Sequence, residues 1–303
     1  MASIVICGAS GLVGSLLGRQ LHERGDSVIV VGRDSEKLRR EFPYGAAHLT
    51  WAELEQLQPN EVATLVNLAG AGVMEKRWDE GYKDVMMDSR LISTEACANI
   101  CAQNPQIDLI NASSVHTYGV HPTDHSPFVE GDLPSTGKDC FLYEMARRWE
   151  GATLPAVESG ARVVTLRIGV VLSPEGGALI ETAKPFKLYL GGRHGTGKQI
   201  MSWISLRDLV NAIVFLVYNR DVEGPVNMVS PAPCTNSEFA RALGAALGKS
   251  SFLPMPSPVV RAVMGQAGLE LVLLGQRVLP EKLLGAGFRF QDREIHQALR
   301  EMF

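Results

Sequence analysis

A chain of 303 residues holds one large α/β domain with a lobe, or two domains, and its 46% hydrophobic fraction suits a globular protein. A net charge of −4 argues against a nucleic-acid or membrane-surface partner, and no apolar run reaches the ~18 residues of a membrane span. The five cysteines (Cys7, Cys97, Cys101, Cys140, Cys234) are an odd number without a zinc-like CxxC pair, so no metal site is expected. The first strand starts by Ser3, which leaves no room for a signal peptide; the expected compartment is the reducing cytoplasm.

Residues 3–33 set the reading of the rest. Apolar runs at 3–7 and 27–31 flank a glycine turn and an apolar-periodic stretch through Leu16, Leu17 and Leu21. This predicts strand, glycine turn, helix, turn and strand, one βαβ unit. Gly8 lets the chain turn sharply off the strand, Gly11 lets backbone approach a pyrophosphate, and Gly14 lets the helix pack closely. Ser10, Leu12 and Val13 complete the turn, and the free N–H groups of the helix's first turn face the phosphates. The second strand ends at Gly32-Arg33, where an NAD site usually carries an acid. Arg33 suits a 2′-phosphate, with charge-assisted bonds worth roughly 1.5–3 kcal/mol, and points to NADP(H). A solvated Arg33 beside Asp34 as a helix N-cap is the plainer reading, and the two are compatible.

A short strand near 48–50 and a short helix over 53–57 follow. The strand at 63–70 runs into a glycine turn that brings Leu68, Ala69 and Gly70 to the cofactor cleft. Residues 78–102 read as a helix carrying Arg90, with Met86, Met87, Cys97 and Cys101 as packing residues. The strand at 107–112 delivers Ser113, Ser114, His116 and Tyr118 to the same crevice. Residues 120–138 read as a surface loop with Glu130 and Asp132 solvated. A helix over 140–158 and a strand over 162–168 follow, then Gly169-Val170-Val171-Leu172. Residues 173–202 are basic and glycine-rich. There Arg193, His194 and Lys198 either hold an anionic substrate group or belong to a plain solvated loop. A helix over 209–218, a last strand over 226–229 and a helical stretch broken by Pro254, Pro256 and Pro258 complete the chain.

These residues resemble the atypical epimerase family of extended short-chain dehydrogenases/reductases, with its DUF1731-type C-terminal segment. The resemblance spans nearly the whole chain. It rests on Gly8-Ala9-Ser10-Gly11-Leu12-Val13-Gly14, Asn67-Leu68-Ala69-Gly70, Lys76-Arg77-Trp78, Ser89-Arg90, Trp149-Glu150, Arg167 to Leu172, Ser202-Trp203-Ile204 with Asp208, Asn236 to Phe239, and Gly275 to Pro280 with Gly287-Phe288. It implies a Rossmann-type doubly wound parallel sheet with a small, mostly helical C-terminal substrate lobe. Residues 1–172 plus 203–230 would form the NADP-binding domain, and 173–202 plus 231–303 the lobe, with the DUF1731-like segment over about 250–298. By resemblance Ser10, Arg33, Leu68, Ala69, Arg90 and Val171 match cofactor-contact positions, and Gly32, Gly70 and Ser113 are counted with them.

Classical members carry a Ser, Tyr and Lys. Tyr moves the proton at the reacting oxygen, Ser hydrogen-bonds it, and Lys lowers the Tyr pKa. Ser114 matches the serine, and a strand-end hydroxyl bonded only to backbone is the competing reading. No Tyr-x-x-x-Lys follows: aligning Glu150 with the acid that ends the motif places Leu142 and Ala146 at those positions. One residue along, Tyr143 and Arg147 form an i, i+4 pair, rotated by roughly 100° about the helix. Tyr118 and His116 are further acid/base candidates, with core packing or hydrogen-bonding as the stronger reading of either. The expected function is an NADP(H)-dependent oxidoreductase or epimerase acting on a small carbonyl or nucleotide-sugar-like substrate, as monomer or homodimer. The alternative is a non-catalytic NADPH-binding regulator, since some members of the family are linked to cell division.

Overall fold

A computed structural model describes residues 3–43, 47–121, 126–132 and 140–303. The strands are β1 (Ser3–Cys7), β2 (Val28–Val31), β3 (Ala47–Leu49), β4 (Val62–Asn67), β5 (Asp108–Ser114), β6 (Val163–Ile168), β7 (Val170–Leu172), β8 (Ile200–Met201), β9 (Trp203–Ser205), β10 (Gly224–Met228) and β11 (Cys234–Thr235). The helices are α1 (Leu12–Glu23), α2 (Ser35–Glu41), α3 (Trp51–Leu54), α4 (Glu80–Gln103), α5 (Phe141–Gly151), α6 (Leu154–Glu158), α7 (Ala178–Lys187), α8 (Leu206–Tyr218), α9 (Asn236–Ala246), α10 (Ser257–Gly268), α11 (Glu281–Gly285) and α12 (Ile295–Met302).

Seven strands form one parallel sheet in the order β3-β2-β1-β4-β5-β6-β10. Helices cover both faces, which is why the strands read as near-continuous apolar runs rather than alternating ones. Side chains still alternate between two cores. Ile4, Ile6, Val28 and Val30 pack against α1 and α8, while Val5, Cys7, Ile29 and Val31 face α4 and α6. The strand order reverses between β1 and β4, so the crevice at their carboxyl ends is the topological switch point. Cys97 and Cys101 are buried in the second core, as packing residues.

The lobe is less loop-like than residues 173–202 suggested. They contain α7, whose Leu179, Ala183 and Phe186 join Trp203, Phe239 and Leu299 in a core of their own. The C-terminal stretch is not confined to that lobe. Leu283, Phe288 and Phe290 belong to the sheet's own core, and the ring centroids of Phe288 and Phe215 of α8 lie 5.5 Å apart. The division at residue 230 therefore describes the order of the chain but not its packing. Glu130 is also not solvated: it is buried and accepts the backbone N–H of Asn227 at 3.0 Å and of Lys282 at 3.2 Å. Parts of the 120–138 loop, residues 122–125 and 133–139, lie outside the described residues.

Residues 275–279 cross this junction as a strap. Ser202 donates its hydroxyl to the Gln276 carbonyl at 2.8 Å and accepts the Val278 N–H at 3.0 Å. Gly275 has no room for a side chain, because a Cβ there would sit 1.9 Å from the Ile200 carbonyl oxygen. Further along, the fully buried Asp208 accepts the N–H groups of Gln291 and Asp292 and ties residues 291–292 to α8. Ser202→Ala leaves a buried donor and a buried acceptor unmet, so urea unfolding should show a loss of about 1–3 kcal/mol. Gly275→Ala, which forces two backbones apart, should cost at least as much.

Candidate cofactor cleft and active site

The turn after β1 is shaped by contacts that only glycine permits. Gly8 has φ +77°, and a Cβ there would stand 2.8 Å from the Ala69 nitrogen. A Cβ on Gly14 would stand 2.5 Å from the Gly8 carbonyl oxygen, so α1 rests directly on the turn. Gly11 is the N-cap of α1; it has no side chain to cap the helix, and the first turn carries no acid. The N–H groups that open α1 at Leu12 and Val13 thus stand at the positive end of a twelve-residue helix, beside Leu68, Ala69 and Gly70. Leu12 also lies in reach of Gly176 and Gly177, and Val171 packs at the edge of the sheet core.

At the end of β2, Gly32 lies against the Leu38 side chain and Arg33 is exposed. Asp34 does cap α2, accepting the Lys37 N–H at 2.9 Å. That cap fixes a residue the sequence reading passed over. Lys37 extends its ammonium back to the Ser10 carbonyl oxygen at 3.4 Å and lies 3.7 Å from Glu41. Two cations, Arg33 and Lys37, therefore stand at the end of β2. The sequence signal was a lysine three residues after an N-cap aspartate.

Arg90 is buried and, among the described residues, has no ion-pair partner. Its Nη1 donates to the Ala71 and Met86 carbonyls at 3.0 and 2.9 Å, and its guanidinium lies 4.9 Å from the Trp149 ring centre. Its buried Nε has no hydrogen-bond partner among the described residues, and Gly70 is small enough to let it lie close. Burial lowers the Arg90 pKa to about 10, so it remains a cation. An orphaned buried donor and an uncapped helix start, on the two sides of one cleft, fit a dinucleotide.

β5 delivers its two terminal serines to different partners. Ser113 is buried and donates to Glu150 at 2.9 Å. Glu150 holds Arg167 through two bonds of 2.9 and 3.0 Å, and Arg167 donates to the Tyr118 oxygen at 2.8 Å. Tyr118 reaches Asn227 at 2.9 Å, stacks on Phe128, and is pushed above the ordinary phenol range by burial against the pull of Arg167. It is a buried support for the crevice floor. Sequence reasoning had Glu150 and Arg167 only as separate anchors, because nothing local signals a pair between a helix and a strand.

Ser114 faces the other way. Its Oγ lies 2.7 Å from His116 Nδ1, and it accepts the His116 backbone N–H at 3.3 Å. His116 is half-buried, and burial depresses its pKa to about 4, so the ring is neutral. The crevice serine is thus paired with His116 rather than with Tyr143. On α5, Leu142, Met145, Ala146 and Trp149 form the buried face. Tyr143 packs at the edge of an apolar cluster with Trp78 and Phe141, and Arg147 is exposed. Leu142 and Ala146 therefore occupy the inward positions, and the one-residue offset turns Arg147 to solvent. On the glycine-rich loop, Arg193 folds onto the Thr196 carbonyl at 2.7 Å, and burial lowers the His194 pKa. Only the exposed Lys198 keeps the character of a free surface cation.

Comparison with known proteins extends this geometry. Residues 4–229 match the NAD dependent epimerase/dehydratase family, and residues 255–302 match a domain of unknown function, DUF1731. An epimerase family protein of Mycobacterium bovis is 40% identical over 302 residues, covering 98% of this chain and 96% of the relative. The crystal structure of human epimerase family protein SDR39U1 with NADPH is similar at TM-score 0.88 and 32% identity, covering 99% of this chain and 98% of the human one. UDP-glucose 4-epimerase of Thermus thermophilus in complex with NAD shares the fold at TM-score 0.73 and 16% identity, over 99% of this chain and 97% of that one.

The neutral state of His116 has a measurable sign. Its folded pKa is below the unfolded value of 6.5, so its contribution to stability is complete above that value and is lost as pH falls toward about 4. The urea midpoint should decline over that window, and His116→Gln should flatten the upper part of the decline, where carboxylates do not yet titrate.

Proposed function

Since the chain belongs to the NAD dependent epimerase/dehydratase family, we propose that it is an NADP(H)-dependent oxidoreductase or epimerase of the extended short-chain class, acting on a small carbonyl or nucleotide-sugar-like compound. The observation that carries this reading is the convergence of the uncapped, acid-free start of α1 with Arg33 and Lys37 at the end of β2. The human relative solved with NADPH, similar along its whole length, supports the same cofactor.

The backbone N–H groups at Leu12 and Val13 hold the diphosphate, and Arg33 with Lys37 holds the 2′-phosphate. Leu68, Ala69, Gly70 and Val171 would line the bound cofactor, and Arg90 supplies a buried cation beside Gly70. A nicotinamide bound there supplies or takes up the electron pair of the redox step. Ser114 offers its hydroxyl to the reacting oxygen. His116 is too weak a base to drive proton removal, so its role is to hold the Ser114 hydroxyl in orientation. Leu142 and Ala146 carry no proton, so the usual Tyr and Lys positions supply none.

Calorimetry should show NADPH bound at least about tenfold more tightly than NADH. Arg33→Ala and Lys37→Ala should each weaken NADPH by about tenfold or more, and NADH little, since a charge-assisted bond is worth roughly 1.5–3 kcal/mol. Equal affinity of the wild type for both cofactors overturns the assignment. Ser114→Ala should lower kcat about 10²–10³-fold on a responsive carbonyl compound, with NADPH affinity unchanged.

The apolar pair Leu142 and Ala146 favours a second reading, a non-catalytic NADPH-binding regulator. Tight NADPH binding without cofactor oxidation across a broad carbonyl and nucleotide-sugar panel would decide for it.

A further inference from the structure

The modest net charge conceals an uneven distribution. Residues 182–206 contain Lys184, Lys187, Arg193 and Lys198, residues 239–269 contain Arg241, Lys249 and Arg261, and neither stretch has an Asp or Glu. With −4 overall and +7 in these two stretches, the remainder of the chain carries −11. The basic stretches are also where large apolar side chains are most exposed: Leu188 70%, Tyr189 59%, Leu190 55%, Phe252 76%, Leu253 43% and Val263 67%.

The two stretches are joined backbone to backbone. Leu253 donates to the Gly191 carbonyl at 3.2 Å, Met255 to Arg193 at 2.9 Å, and Gly195 back to Met255 at 2.9 Å. A Cβ on Gly192 would lie 2.0 Å from the Leu253 carbonyl oxygen, so no side chain fits at the junction. The flanking Leu188 to Leu190 and Phe252 remain outside it. Tyr189 has φ +61°, a conformation a tyrosine rarely adopts, and Lys249 holds it, with Nζ 2.8 Å from the hydroxyl and 4.1 Å from the ring centre. Fixed backbone, projecting apolar tips, Lys187 and Lys249 form one face, while Lys184 at its edge is paired with Glu181 at 2.6 Å.

We propose that this face docks on the surface of an anionic lipid bilayer. Leu188, Leu190, Phe252 and Leu253 enter the boundary between headgroups and acyl chains, and Lys187, Lys249 and neighbouring cations meet the lipid phosphates. The contact is interfacial, because among the described residues no helix is long and apolar enough to cross a membrane. A second copy of the chain is disfavoured on this face, since it would set like charges against each other. Projecting tips enter a soft apolar phase without a matching groove, which an acidic peptide would require.

Flotation of the full chain with vesicles decides the matter. Phosphatidylcholine vesicles containing about one-third phosphatidylglycerol should carry the protein upward, pure phosphatidylcholine should not, and salt should weaken the effect. Leu190→Ser with Phe252→Ser should lower partitioning at least about tenfold, while NADPH affinity and thermal unfolding stay as in the wild type. Lys187→Glu with Lys249→Glu should act in the same direction. Ile92→Ser, which removes a side chain 66% exposed on α4, should change nothing. The proposal is overturned if the wild type ignores anionic vesicles or if the Leu190–Phe252 double variant floats like the wild type. It is equally overturned if sedimentation shows a dimer that this double variant dissociates while vesicle binding is absent.

Discussion

Backbone contact at the first glycine turn is the constraint on which the rest depends. Gly8 touches the Leu68–Ala69 peptide, and Gly14 touches Gly8, so β1, α1 and the end of β4 meet with no side chain between them. Any larger residue would separate the helix from the sheet. The closeness has two effects at once. It aims the start of α1 into the crevice, and it brings Leu68, Ala69 and Gly70 to the opposite wall. Beyond Gly70, Arg90 fills the space that a side chain would have taken. The cleft is therefore a property of missing atoms as much as of those present.

A second constraint holds the crevice floor. Ser113, Glu150, Arg167, Tyr118 and Asn227 form a continuous, largely buried polar chain that joins β5 and the turn after it to α5, β6 and β10. Each member is satisfied by the next, so the network fixes one arrangement, and removal of one member would strand the others. Ser114 follows immediately after the residue this chain grips. Its position at the end of β5 is thus set by groups on three other elements.

What the sequence revealed follows from how local each signal is. The βαβ unit, Asp34 as a cap, and the packing role of Cys97 and Cys101 were legible, because each depends on neighbours within a few positions. Glu130 looked solvated because its loop is polar, yet its partners are the N–H groups of Asn227 and Lys282, far along the chain. The helix within 173–202 was hidden by Pro185 and the glycines that follow it. Lys37 was missed because its meaning depends on where α2 packs against the Ser10 turn. The resemblance implied contacts at the cleft but did not pair Ser114 with His116; the histidine stands two residues on, where a short turn folds it back.

The placement of Leu283, Phe288 and Phe290 bears on how the chain is made. These three side chains cover α8 and Phe215 within the core of the nucleotide-binding layer. Their burial is worth roughly 1.5–3 kcal/mol each, together comparable with the whole margin of about 5–15 kcal/mol by which domains are stable. The layer that β1 opens is thus completed by side chains far along the chain from it. A nascent chain must wait with an open apolar seam until residues 283–290 arrive, and a product cut short before them would expose that seam to proteases and chaperones.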